Sequence, residues 1–532
     1  MILPPEQFNI ASYFIDRNLQ LGRGGNVAVR EEGRKLTYAQ MAEMVNRAGN
    51  AFRSMGIEAE NRILLALPDS AEFIAAFYGA AKIGAVPVPV NPVSSPDDYL
   101  YFLNDSGAQA FVLDEELWPL VQEKLAGAPC LRNVLLVRSA ILPKAATPPP
   151  PVAGSANHYR VEPFAPWMQK ASTSLDAEPT SRDDVAFLLY TSGSTGGPKG
   201  AVHLQHDMLV AAESYARSVL QITEQDICFS ASKLYFAYGL GNSSYFPFSV
   251  GAAAVYLPQR TKPETVFDCI ERFRPTLFFG VPTLFAAMLQ PEQSREQPRD
   301  LSSIRLAVSA GEALPADIFH RFRERFGVTI LDGIGSTEML HIFISNRPGE
   351  IRPGASGKVV PGYEAKIVDD AGNSVPVGEI GNLWVKGESA AAFYWRKHER
   401  SKSTMTGEWM VTGDKYCVDH EGYYTYCGRA DDMLKVSGRW VSPVEVENTI
   451  AGFPGVVEAA VVGQKDQDGL VKPKAFVVLS NSSAGVTEES LGNFLREKLP
   501  VYQCPCWIEF VPDLPKTPTG KIQRFKLREG LI

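Results

Sequence analysis

The sequence predicts an α/β protein with a large N-terminal domain of α/β subdomains plus a β-rich subdomain, and a small C-terminal α/β domain. Three observations carry this. Apolar runs alternate with helical stretches from residue 63 onward, short strands with tight turns follow Pro361, and a new helix–strand unit begins near Ser442. At 532 residues the chain is also too long for a single core.

Residues 63–67 and 85–90 are strand-like apolar runs on either side of a helical stretch at 70–83. This is the βαβ grammar that implies a parallel sheet covered by helices. Similar alternation returns at 110–113, 134–137, 253–257, 276–279, 306–309 and 329–331, which predicts one large α/β region. Residues 143–166, with prolines at 148–151, break the pattern and read as a polyproline-like surface excursion inside a domain. After Pro361 the strands at 365–368 and 381–386 flank the turn Asp369-Asp370-Ala371-Gly372. Ser442-Pro443-Val444-Glu445 reads as a capping box with proline at the first helical position, opening a helix through Ile450. Strands at 456–462 and 475–479 and a helix at 488–499 complete the unit. The joint is placed at Asp431, dividing residues 1–431 from 432–532.

Composition excludes several classes of function. A net charge of −8 argues against nucleic acid or an anionic membrane as main partner, so a polyanionic ligand would need local features to hold it. The apolar run at 246–257 ends before Gln259 and Arg260, too short for a membrane span. The first residues show no basic region ahead of an apolar core, which predicts a cytoplasmic protein. Cysteines 130, 228, 269, 417, 427, 504 and 506 form no C-x-x-C pair, and reduced, mostly packed thiols are expected.

Residues 190–200, Y-T-S-G-S-T-G-G-P-K-G, follow the apolar run 185–189 and look built to hold phosphate. Gly193, Gly196, Gly197 and Gly200 allow close backbone approach to an anion. Thr191, Ser192, Ser194 and Thr195 add hydroxyl donors, and Lys199 adds a point charge. Pro198 before the lysine and Gly200 after it break the G-x-x-x-x-G-K-[ST] pattern, which excludes a P-loop.

Four further stretches are specific: Asp332-Gly-Ile-Gly-Ser-Thr-Glu338 after a strand, Thr412-Gly-Asp414, Gly428-Arg-Ala-Asp-Asp432 ahead of Lys435-Val-Ser-Gly438, and Pro518-Thr-Gly-Lys-Ile-Gln-Arg524. With the glycine-rich loop, in this order and over nearly the whole chain, they resemble the adenylate-forming acyl-CoA synthetase (ANL) superfamily. That resemblance implies a two-step reaction. A carboxylate attacks the α-phosphate of Mg·ATP to give an acyl-adenylate and pyrophosphate, then the thiol of coenzyme A expels AMP, with the small domain rotating between steps.

The resemblance also implies roles. Thr191, Ser192, Gly193, Ser194, Thr195, Gly196 and Lys199 would hold the β- and γ-phosphates; Thr337 would donate to the α-phosphate, and Glu338 would be the Mg2+ carboxylate. Gly311, Glu312, Asp332, Gly333 and Ile334 would border the adenine, although an aromatic often stands where Ile334 does. Asp414 would accept the ribose hydroxyls with Arg429 in support, and Lys521 would be the adenylation lysine. Asp431 matches the hinge, or is an ordinary turn aspartate; Ser437 and Gly438 would line the pantetheine channel. Trp440 would stack on the adenine of coenzyme A, or is a core or surface tryptophan.

The acyl pocket would be bordered by residues 234–239 and by Gly335, Met339, Leu340 and His341. Phe236 and Tyr238 with Ala237 between them favour a flat, compact ring over a long chain. His341 would border the ring or the carboxylate, or be a packed histidine. The combination of residues 336–341 with 234–239 is most similar to benzoate–CoA ligases, with another compact ring acid, or a stand-alone aryl-acid adenylation module loading a carrier protein, as alternatives. The expected partners are a small-molecule carboxylic acid, ATP and coenzyme A, with no nucleic acid and no membrane, in a monomer or homodimer. His203-Leu-Gln-His206 has metal-like spacing without a visible third ligand, and Cys504-Pro-Cys506 reads as packing.

Overall fold

Where the alternating sequence predicts one α/β region, the chain builds two sheets on either side of a shared helical layer. The computed structural model describes residues 4–138, 158–191, 197–290, 298–436, 439–467, 469–480, 485–516 and 522–530. The first sheet is fully parallel, in the order Val86–Pro89, Arg62–Ala66, Ala110–Asp114, Asn133–Val137, Arg160–Pro163. Its last strand falls inside the proline-rich stretch read as an excursion, and the helix Phe164–Lys170 follows it. The sequence Arg-Val-Glu-Pro gives no apolar signal because this is an exposed edge strand. The rest of that stretch, residues 143–157, lies outside the described residues.

The second sheet has nine strands, in the order Lys358–Val359, Ile342–Ser345, Ile330–Gly335, Leu306–Ser309, Leu277–Gly280, Ile227–Ser230, Ala253–Val255, Val27–Glu31, Arg34–Thr37. It is parallel in the middle and antiparallel at both ends. Alternation along each strand divides its side chains between layers. Ile63 and Leu65 face the shared core, whereas Leu64 and Ala66 face the outer one; Leu277 and Phe279 face the shared core, Phe278 the opposite side. Strands buried on both faces are apolar throughout, and that is why they read as continuous runs.

Helices α1 (Tyr38–Ser54) and α2 (Ala71–Lys82) lie in the shared layer. Thr37 and Gln40 form a reciprocal capping box on α1, and the Ser70 hydroxyl caps α2. Eleven of the twelve residues of α2 are buried, all but Glu72. The two helices touch at glycine: a Cβ on Gly79 would sit 2.8 Å from Ala48 Cβ and 2.9 Å from Gly49 N.

A three-stranded antiparallel sheet joins β1 (Val185–Thr191), β2 (Lys199–Leu204) and β3 (Phe393–Tyr394), with β2 in the middle. The β-rich part is an antiparallel sheet of Glu364–Val368, Gly381–Lys386, Met405–Thr406, β4 (Trp409–Val418) and β5 (Tyr424–Arg429). The small C-terminal unit contains the hairpin Leu434–Val436/Arg439–Val441, α3 (Pro443–Ala451), and the strands Val456–Lys465, Val471–Leu479 and Trp507–Phe510. It has its own buried clusters around Val461, Val477 and Leu495, and around Phe476 and Leu527.

Two local expectations are corrected. Ser442 accepts from the Glu445 N–H, yet the Glu445 carboxylate takes a 3.1 Å bond from Gln503 Nε2, so tertiary contact claims the residue that the capping box would use. All seven cysteines are free, with Cys130 and Cys506 exposed in turns and Cys504 half-buried, so Cys504-Pro-Cys506 is only partly packed. Among the described residues no helix is long and apolar enough to cross a membrane.

The α1–α2 contact is testable. Gly79→Ala is expected to lower the apparent melting temperature, at a cost of about 1–3 kcal/mol, because the added methyl meets backbone atoms that cannot rotate away. An unchanged melting curve would show that the helices separate freely.

Candidate functional site

The β1–β2 hairpin presents the glycine-rich segment. Thr191 pairs with Lys199 and Tyr190 with Gly200 at its open end. The strands themselves are held from outside at this end: Tyr101 donates to the Pro198 carbonyl at 2.7 Å, and Tyr190 donates to Asp105 at 2.7 Å. Ser192, Gly193, Ser194, Thr195 and Gly196 lie outside the described residues. Lys199 lies on β2 with Nζ 4.9 Å from the centre of the Tyr394 ring on β3. Burial, with Arg400 and Arg429 nearby, lowers its pKa, and Glu338 partly offsets this. Lys199 therefore feels the charges of Glu338, Arg400 and Arg429.

Asp332, Gly333, Ile334 and Gly335 belong to the strand Ile330–Gly335 itself, where the sequence places this motif after a strand. Antiparallel pairing with Ile342–Ser345 extends it, and a Cβ on Gly333 would lie 2.9 Å from the Ile344 carbonyl. Ser309 pairs with Asp332, which brings Gly311 and Glu312 beside this strand. Asp332 is buried, its Oδ1 has no hydrogen-bond partner among the described residues, and burial holds its pKa well above the usual carboxylate range.

The next six residues, 336–341, form a tight turn pinned from several sides. The Thr337 carbonyl accepts from Leu340 N–H at 3.1 Å and from His203 Nε2 at 2.8 Å. The Glu338 carbonyl accepts from Ala391 N–H at 2.6 Å, and its carboxylate Oε1 from the Tyr394 hydroxyl at 2.6 Å. Ser336 Oγ accepts from Met339 N–H, and the Met339 carbonyl accepts from Ser389. Leu340 is held at φ +65°, a left-handed conformation that costs a branched residue energy and persists only where its surroundings impose it.

Asp414 on β4 and Arg429 on β5 are cross-strand partners, joined by a 3.0 Å ion pair. The Arg429 guanidinium also donates to the Thr412 carbonyl at 3.1 Å, and Asp414 N–H donates to Thr412 Oγ1. Burial works against the charge on Arg429, and Asp414 more than restores it.

On the apolar side, Ala237 is buried, and Phe236 and Tyr238 are partly buried. The Tyr238 hydroxyl lies 3.3 Å from the Val308 carbonyl and 3.4 Å from that of Gly280. His341 is 2% exposed and sits among the rings of Tyr215, Tyr238, Tyr245 and Phe246, with Phe246 at 4.4 Å. Its Nε2 is 3.1 Å from Asn242 Oδ1. Burial pushes the imidazole down to about 3, so it is a neutral member of an aromatic cage.

The C-terminal candidates are only partly in view. Lys521, Ser437 and Gly438 lie outside the described residues, as does the side chain of Trp440. Asp431 is exposed, and its carbonyl accepts from Arg528 at 3.4 Å. Its neighbour Asp432 pairs with Arg528 at 3.0 Å and Arg524 at 3.9 Å, while Arg524 pairs with Glu447 at 2.7 Å.

Among the described residues no group of three His, Cys, Asp or Glu side chains could hold a metal ion. His203 and His206 are both engaged: His206 contacts the carbonyls of Arg182 and Glu388 at 2.9 and 3.0 Å. Sequence reasoning missed Tyr394, Asn242 and the link from His203 to Thr337. For His203 a signal existed in Asp207 four residues on, the spacing that puts two side chains together on one turn.

Residues 17–395 match the AMP-binding enzyme family, and residues 445–521 match the AMP-binding enzyme C-terminal domain. The chain is 46% identical over 531 residues to a benzoate–CoA ligase of Thauera aromatica, covering 99% of this chain and 97% of that one. The crystal structure of the anthranilate CoA ligase AuaEII in complex with anthranoyl-AMP has a TM-score of 0.91 at 42% identity, over 99% of this chain and 98% of that one. A benzoate CoA ligase from Burkholderia xenovorans LB400 has a TM-score of 0.87 at 43% identity, over 98% of this chain and 100% of that one.

The neutral cage gives a stability prediction. The His341 pKa is about 3 when folded against an ordinary 6.5, so the unfolded chain takes up the proton first. Stability from this group is present above pH 6.5 and lost as pH falls toward 3, at about 1 kcal/mol per pH unit. His341→Asn should therefore shrink the drop in melting temperature between about pH 7 and 5. Equal drops in both proteins would assign the acid sensitivity elsewhere.

Proposed function

Because the chain belongs to the AMP-binding enzyme family, the adenylate-forming ligases, we propose that it joins an aromatic carboxylic acid, benzoate first, to coenzyme A. The reaction consumes ATP, passes through an acyl-AMP and releases AMP and pyrophosphate. The observation that carries this reading is the full-length likeness to a benzoate–CoA ligase, and Tyr394, which lies against Lys199 and donates to the Glu338 carboxylate, supports it by linking the two.

In the first step a carboxylate oxygen forms a bond to the α-phosphorus as the bond to pyrophosphate breaks. Charge builds on the phosphoryl oxygens and the leaving group, so fixed donors and cations lower the barrier. Lys199, with Thr191, Ser192, Gly193, Ser194, Thr195 and Gly196, grips the β- and γ-phosphates. Thr337 donates to the α-phosphate. Gly311, Glu312, Asp332, Gly333 and Ile334 border the adenine; Asp414, steadied by Arg429, takes the ribose hydroxyls. Glu338 suits Mg2+ arriving with ATP: it is a hard oxygen donor with one oxygen already fixed by Tyr394, and no larger protein cage surrounds it among the described residues. Such a site matches an ion that keeps waters and phosphate oxygens as its other ligands, and the ion would neutralise phosphate charge.

Lys521 supplies the adenylation cation. Residues 432–532 turn about Asp431 against 1–431 between steps, which brings Ser437, Gly438 and Trp440 to coenzyme A. Phe236, Ala237, Tyr238, Gly335, Leu340 and His341 border the acid, the histidine through its cage. The enzyme works in the cytoplasm as a monomer or homodimer.

An AMP-release assay with coenzyme A should give the highest kcat/KM with benzoate. Octanoate or cyclohexanecarboxylate matching it would overturn the substrate assignment, and pyrophosphate release without a thioester would favour loading of a carrier protein. Lys521→Ala should abolish acyl-adenylate formation yet spare thioester formation from supplied benzoyl-AMP; equal loss in both steps would refute the division of labour.

A further inference from the structure

His203 and Asp207 form a pair that the reaction scheme leaves without a task. Both side chains are fully buried, with His203 Nδ1 2.7 Å from Asp207 Oδ2. The same Oδ2 accepts from Leu204 N–H at 3.1 Å, so the carboxylate is anchored to the chain just after β2. The imidazole stacks on Phe187 of β1, centroids 5.1 Å apart and planes within 19°. Its other nitrogen, Nε2, is 2.8 Å from the Thr337 carbonyl. A carbonyl only accepts, so Nε2 carries the hydrogen and points it at Thr337.

We propose that His203, oriented by Asp207, is a positioning residue for adenylation: it ties the phosphate-gripping β1–β2 hairpin to the turn that carries Thr337 and Glu338. The proposal rests on the reading of those two residues given above. The hairpin holds the leaving pyrophosphate and the turn holds the α-phosphate, so the distance between them must be right when the bond between the two phosphates breaks. His203 bridges the two supports with one rigid ring. Tyr394 on β3, paired with β2, makes a parallel link to the Glu338 carboxylate, so both halves of the Thr337–Glu338 pair are aimed from the same small sheet. Metal-like spacing in His203-Leu-Gln-His206 is thus the spacing of two structural histidines, one of which reaches the reacting centre through Thr337.

A link of this kind matters when phosphorus changes its bonding and less afterwards, when AMP merely departs from carbon. His203→Phe keeps the stacking ring and deletes the donor; His203→Gln keeps a donor. For full-length enzyme, His203→Phe should lower kcat for benzoyl-AMP formation about 100-fold, as loss of an oriented donor does, with KM for ATP changing less than about threefold. Thioester formation from supplied benzoyl-AMP should fall less than about threefold, and His203→Gln should recover most of the adenylation rate. Unchanged adenylation in His203→Phe would overturn the proposal. So would parallel losses in both steps together with a lowered melting temperature, or failure of His203→Gln to recover, since these mark a merely structural histidine. Thr337→Val and Glu338→Gln run alongside: if they also retain adenylation, the reading of the turn itself falls, a result distinct from failure of His203 alone.

Discussion

The carbonyl of Thr337 accepts a hydrogen bond from an imidazole 134 residues earlier in the chain, and the geometry of the site depends on that contact and its neighbours. Residues 336–341 have no regular secondary structure to hold them, and Leu340 is in a conformation that a free chain would leave. Their shape is imposed by His203, Tyr394, Ala391 and Ser389, donors from β2, from β3 and from the loop leading into β3. A strained turn with three of its carbonyls engaged presents its remaining groups in a fixed direction, and fixed direction is what stabilisation of a charged transition state requires.

Behind that turn the chemistry is the reverse. His341 ends the polar segment by entering a cage of four rings, where burial keeps it uncharged. A compact aromatic wall thus lies directly beside a polar turn. The arrangement has a thermodynamic consequence, because a buried neutral histidine trades acid stability for a dry pocket.

Within the C-terminal residues a set of charges is paired internally. Asp432, Glu447, Arg524 and Arg528 form a network beside the exposed Asp431. Arg524, Glu447 and Asp432 are largely buried, so removing one partner would leave an uncompensated charge.

By itself the sequence determined the α/β class, the small C-terminal unit and about half of the strands, because strands buried on both faces must be apolar, but it placed only the helices at 70–83, 442–450 and 488–499. Short motifs also singled out Thr337, Glu338, Asp414 and Arg429 as candidates, and the structure pairs Asp414 with Arg429. The sequence alone misread residues 160–163, an exposed edge strand with no apolar period, and merged two sheets into one, since local alternation carries no information about which sheet a strand joins. It spent Glu445 on a cap, whereas Gln503 takes its carboxylate. Only the tertiary structure decided what His203 does: its partners are Asp207, Phe187 and Thr337, and a hydrogen bond across 134 residues exists only once separate strands have packed.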